Sequence, residues 1–90
     1  MLTYMRSSDV VHANVQGDVV LLNTRSWVYL EFDRVGSAVW ALLDVPRTLP
    51  SLVEALRQTF EIDEARCTAD TQSFLDEMIA QGAVNVAGTP

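Results

Sequence analysis

One change of period governs what this chain can fold into. Up to Phe32 the apolar residues come in short extended runs broken by turn residues, and from Asp33 onward they recur at helical spacing. Strands therefore come first and helices second. The first run, about Val10 to Asn14, ends at Val15-Gln16-Gly17-Asp18, where Gly17 and Asp18 tolerate the positive φ that a hairpin turn often requires. The second is Val19-Val20-Leu21-Leu22, apolar throughout, as suits a central strand, and Asn23-Thr24-Arg25-Ser26 supplies the next turn. The third, Trp27 to Phe32, puts Val28, Leu30 and Phe32 on one face and Trp27, Tyr29 and Glu31 on the other. In a simple meander this third strand is an edge.

Asp33 is a good N-cap, because its carboxylate can accept from the free N–H groups of the turn that follows. Val35, Ala38, Val39, Leu42 and Leu43 then form a helical stripe widened by Trp40, and Pro46 stops the helix soon after Asp44. Thr48 or Ser51 caps a second helix with Pro50 in its first turn and an inward stripe of Leu49, Leu52, Val53, Leu56 and Phe60. A third helix is expected from about Asp63 to Gln81, with Cys67, Phe74, Leu75, Met78 and Ile79 inward and Gly82 at the C′ position. Residues 83–86 suit a short strand, and Gly88-Thr89-Pro90 is expected to be loose. The fold class is α+β: a three-stranded antiparallel sheet followed by three helices, in a winged helix-turn-helix-like order. The 90 residues, 49% of them hydrophobic, suffice for one domain with an ordered core of about residues 9–86.

Composition narrows the function classes. Six arginines and no lysine oppose twelve carboxylates, for a net charge of −6, and the acids concentrate after residue 47. Nucleic acid is thus an unsuitable partner, since phosphate tracking needs clustered cations. No apolar run is long enough to span a bilayer, and Asp9 and His12 sit where a signal peptide needs an apolar core, so the expected location is cytoplasmic, with no membrane partner. Cys67 and His12 are single representatives of their types, which excludes an internal disulfide and a His/Cys metal site. They also lie in different elements without a motif around either, and read as a core thiol and a half-exposed strand residue rather than a nucleophile and base. The carboxylates Asp63, Glu64, Asp70, Asp76 and Glu77 spread around a helix without calcium-loop spacing, and the four glycines form no phosphate loop. No cofactor, no metal and no catalysis are expected. Trp40 belongs to the core, whereas Trp27 and Tyr29 share the outer face of an edge strand, where a peptide could dock by backbone pairing.

The order Val20-Leu21-Leu22-Asn23, Tyr29, Phe32-Asp33-x-x-Gly36-x-x-Val39-Trp40-x-Leu42-Leu43, Thr48, and Asp70-x-x-x-Phe74-Leu75-x-x-Met78-x-x-x-Gly82 resembles the PqqD-like family over about residues 9–86. These are small winged-helix-type domains that bind the leaders of ribosomally made, post-translationally modified peptides. Within the family the pattern is most similar to the discrete leader-binding protein of lasso-peptide clusters, which works beside a separate cysteine-type leader peptidase and a cyclase. Asp33 stands where many relatives have Asn, and Trp27 follows Ser26 where a glycine is common in the turn. The resemblance implies a non-catalytic adaptor onto whose third strand a precursor's leader adds. It implies peptide contacts from Trp27, Val28, Tyr29, Leu30 and Glu31 on that strand, and from Cys67, Asp70, Thr71 and Phe74 on the third helix. The alternative from another class is a winged-helix DNA-binding regulator, for which the helical trio argues and the charge argues against.

Overall fold

The computed structural model describes residues 1–88 as five strands and three helices: β1 (Leu2–Arg6), β2 (Val10–Val15), β3 (Asp18–Asn23), β4 (Tyr29–Glu31), α1 (Arg34–Leu42), α2 (Leu49–Thr59), α3 (Glu64–Ala80) and β5 (Val84–Gly88). The expected meander is the antiparallel sheet β2-β3-β4, and a second sheet pairs β1 with β5. Val19, Leu21 and Asn23 turn inward from β3, and Trp40, Leu43, Leu52, Leu56 and Leu75 complete a core against them. Both helix-start expectations at aspartates hold: the Asp33 and Asp63 carboxylates accept from the Gly36 and Arg66 N–H groups at 2.8 and 3.2 Å. Thr48 caps α2, accepting from the N–H of Ser51, the other candidate cap. Helix α3 ends in a Schellman motif, in which Gly82 (φ +73) donates to Ile79 and Ala83 donates to Met78. A further bond joins the sheet to α1: the Val19 N–H donates to the buried Ser37 Oγ at 2.9 Å.

Four expectations need correction. The ordered part begins before residue 9, because Leu2–Arg6 is a strand whose partner, β5, lies at the far end of the sequence. Tyr4 anchors it, 3% exposed, with its backbone also bridging Arg47 in both directions at 2.7 and 2.9 Å. The loose tail is the second correction: Gly88 pairs with Leu2, while Thr89 and Pro90 lie outside the described residues. Third, the β2–β3 turn takes its positive φ at Gln16 (54°) and Gly17 (91°) and not at Asp18, because the two-residue loop Gln16-Gly17 makes Val15 and Asp18 the first paired positions. Fourth, the third strand starts at Tyr29 and not at Trp27. Trp27 has φ +61, a left-handed conformation that interrupts the extended backbone before Tyr29.

Candidate functional site

Asn23 organises the turn that sets up β4. Its Oδ1 accepts from the Arg25 and Ser26 N–H groups at 2.9 and 3.1 Å, its carbonyl accepts from the Trp27 N–H at 2.8 Å, and its N–H donates to the Val28 carbonyl at 2.9 Å. The side-chain amide then donates to the Gln81 carbonyl at 3.0 Å. A buried amide with this many partners fixes the hairpin against the end of α3.

The register of β4 decides which of its backbone groups remain available. Asn23 bonds to Val28, and the Phe32 N–H donates to the Val19 carbonyl at 3.0 Å, so the residue between them in the alternation, Leu30 opposite Leu21, also points its backbone groups into the sheet. Tyr29 and Glu31 therefore direct their N–H and C=O groups away from β3. Among the described residues, no strand pairs with that side. The Tyr29 ring is exposed, and its hydroxyl donates to Glu31 Oε1 at 3.2 Å. Local desolvation, and then this bond and the negative charge of Glu31, push the phenol above its ordinary 10.0, so it is a neutral donor across the physiological range.

Beside this edge runs a groove. Its shallow part, about 200 Å³, lies between β4 and α3 and is lined by Leu30, Glu31, Phe32, Asp33, Phe74, Glu77 and Met78. Asp33 and Phe74 are shared with a deeper pocket of about 300 Å³ between α1 and α3, which Val35, Gly36, Val39, Ile62, Cys67, Asp70 and Thr71 complete. Phe74 stands at the junction, edge-on to Phe32 with ring centroids 5.1 Å apart. Gly36 keeps the pocket open, since a Cβ there would lie 3.1 Å from Phe74 Cε1 and 3.3 Å from the Asp33 carboxylate. Cys67 and Thr71 are buried, with the thiol 3.9 Å from the hydroxyl, and give the interior wall a weakly polar spot. Asp70 is exposed at the rim, 3.5 Å from the Arg66 guanidinium, so part of its charge is already answered within its own helix.

The nine residues singled out from sequence thus fall into three sets. Cys67, Asp70, Thr71 and Phe74 line the deep pocket, and Leu30 and Glu31 join Phe74 along the shallow groove. Trp27, Val28 and Tyr29 line neither: Val28 is half-buried and spends its carbonyl on Asn23, Tyr29 contributes the open edge, and Trp27 projects from the turn. Sequence reasoning missed Val35, Gly36, Val39 and Ile62 as pocket walls. A glycine inside a helical stripe was the available signal, because it costs helix stability unless something must approach closely.

Two other surfaces bear on function. A wider concavity of about 650 Å³ between α2 and α3 is open, touches no strand edge and is crossed by the exposed pair Arg57–Glu64 at 3.7 Å. Helix α3 presents Glu64, Asp70, Asp76 and Glu77 to solvent against Arg66, a surface that repels phosphate. No described helix is long and apolar enough to cross a membrane.

Comparison with known proteins gives a family match and two structural ones. The sequence model described as "Coenzyme PQQ synthesis protein D (PqqD)" matches residues 18–84. The solved structure described as "TbiB1 in Complex with the TbiA(beta) Leader Peptide" is 27% identical, with a TM-score of 0.84 over 90% of this chain and 94% of that one. A second, "Lasso peptide synthetase B1 complexed with the leader peptide", is 18% identical, with a TM-score of 0.78 over 91% of this chain and 96% of that one, and shows the shared fold. No curated protein matches.

Proposed function

Because this chain belongs to the PqqD family, we propose that it is a non-catalytic adaptor that captures the leader of a ribosomally made precursor, that of a lasso peptide, and presents it to a separate cysteine-type leader peptidase and a cyclase. The observation that carries this reading is the outward backbone of Tyr29 and Glu31, directly beside the groove that runs under Phe74. An extended peptide laid along β4 meets two donors and two acceptors there, each worth about 0.5–1.5 kcal/mol net once paired. Its alternate side chains would face α3. One of them fills the pocket over Gly36, Cys67 and Thr71, while Glu31, Asp33, Asp70 and Glu77 around the groove favour basic neighbours. Relatives solved with leader peptides bound support the same reading.

The chemistry of the site suits binding and not turnover. Cys67 is buried on α3, and His12 sits on β2, where its ring lies 6.0 Å from that of Trp40. Isothermal titration with a synthetic leader of a lasso-peptide precursor tests the proposal. Saturable one-to-one binding, with the peptide recovered intact after prolonged incubation, is expected. An absence of binding at high micromolar peptide, or cleavage by the purified chain alone, would overturn it.

A further inference from the structure

We infer that Trp27 is a specificity-determining residue of the peptide site, an indole that covers an apolar side chain of the bound peptide just past the Tyr29 end of β4. This rests on the strand-addition reading above. Three features of the turn lead there.

Trp27 holds φ +61, a conformation unfavourable for a bulky residue and ordinarily given to glycine. The four Asn23 bonds that close the turn impose it, yet the fold gains little from the side chain, which is 72% exposed. A large aromatic kept in a strained position without burial points to a use outside the fold. Its place in the sequence supplies that use. The free edge offers backbone at Glu31 and Tyr29, so a strand pairing there and continuing past Tyr29 comes next upon the turn where Trp27 stands. A peptide residue two positions beyond the one facing Tyr29 would lie under the indole. Its chemistry is apolar: a flat exposed ring offers contact area and little hydrogen bonding, and Arg25, exposed in the same turn with its guanidinium 3.8 Å from the Asp9 carboxylate, leaves no net negative charge in the turn to draw a cation.

The chain has two tryptophans, and Trp40 is 1% exposed, so emission quenchable by acrylamide reports on Trp27. The probe is the synthetic leader described above, with an alanine scan along it, titrated against the wild-type chain and Trp27→Gly. Saturating peptide should shift the emission to the blue and protect it from acrylamide. One apolar peptide position should lose about fivefold to thirtyfold in affinity on alanine substitution with the wild-type chain, and less than about twofold with Trp27→Gly. Trp27→Gly should not lower Tm, because glycine relieves the left-handed backbone. If the wild-type chain binds the leader while Trp27 stays equally quenchable, or while no peptide position depends on it, the inference is wrong and the strand-addition reading stands. If the wild-type chain binds no leader, both fall.

Discussion

Proline distinguishes neighbouring residues of β4 in a way no other substitution does, because it removes one N–H and leaves the chain otherwise extended. The register gives Tyr29 an N–H directed away from the sheet and Leu30 an N–H directed to Leu21. Tyr29→Pro therefore deletes a donor that the folded protein does not use, on an edge position where proline is tolerated, and stability should change by less than about 1 kcal/mol. Docking loses a hydrogen bond, and the peptide carbonyl that should have received it faces a pyrrolidine ring. Together these cost about 1–3 kcal/mol, or roughly fivefold to 150-fold in Kd. Tyr29→Ala isolates the side-chain share of that loss. Leu30→Pro instead breaks the β3–β4 ladder beneath a half-buried side chain and should cost about 3 kcal/mol or more, a large part of what holds a domain this small. Thermal melts and isothermal titration with the leader separate the two. A folded Tyr29→Pro that binds no worse than Tyr29→Ala would refute strand addition at this edge, and a Leu30→Pro melting with the wild type would refute the register.

Leu56→Ala, at a site 1% exposed, should destabilise by about 2–5 kcal/mol in denaturant melts, and Trp40→Ala by at least as much; a shift of a degree or two in both would mean the core lies elsewhere. Gly36→Ala should leave Tm within a few degrees, since the gain in helix propensity offsets the 3.1 Å contact with Phe74, while leader affinity drops by about tenfold as the pocket closes; unchanged affinity would exclude the pocket from binding. Asp70→Asn should weaken binding by less than about 1 kcal/mol, with the loss shrinking as salt rises, because the carboxylate is exposed and Arg66 already faces it; a salt-independent loss would mean that its role is not electrostatic.

What could be read from the chain beforehand follows the reach of the signals. The aspartate and threonine caps, the stripe of Leu49, Leu52, Val53 and Leu56, and the glycine after α3 all act within a turn or two, and each stands where it was expected. β1 escaped because Leu2–Arg6 has a short, weak alternation and becomes a strand through partners at Arg47 and Val84–Gly88. Trp27 escaped for the opposite reason: local propensity places an aromatic beside Val28 in a strand, and the bonds of Asn23 override it. At the site, alternation correctly put Tyr29 and Glu31 on the exposed face. It could not say which backbone groups point outward, since that depends on pairing with β3 and not on side-chain polarity. Likewise Asn23 is recognisable as a turn residue, whereas its reach to Gln81 belongs to the assembled molecule.

The pairing of Leu2 with Gly88 also sets an order of events during synthesis. Hairpin β2–β3–β4 and the three helices join neighbours in sequence and can form soon after each segment emerges. β1 must wait for β5, which is made after every element between them, because closing that loop carries the largest entropic cost of the strand pairings. In the interval Tyr4 has the backbone of Arg47 to dock against, a partner that arrives halfway through. The β4 edge proposed to take the leader thus belongs to the early-forming part of the molecule, and the seam between β1 and β5 is the last to close.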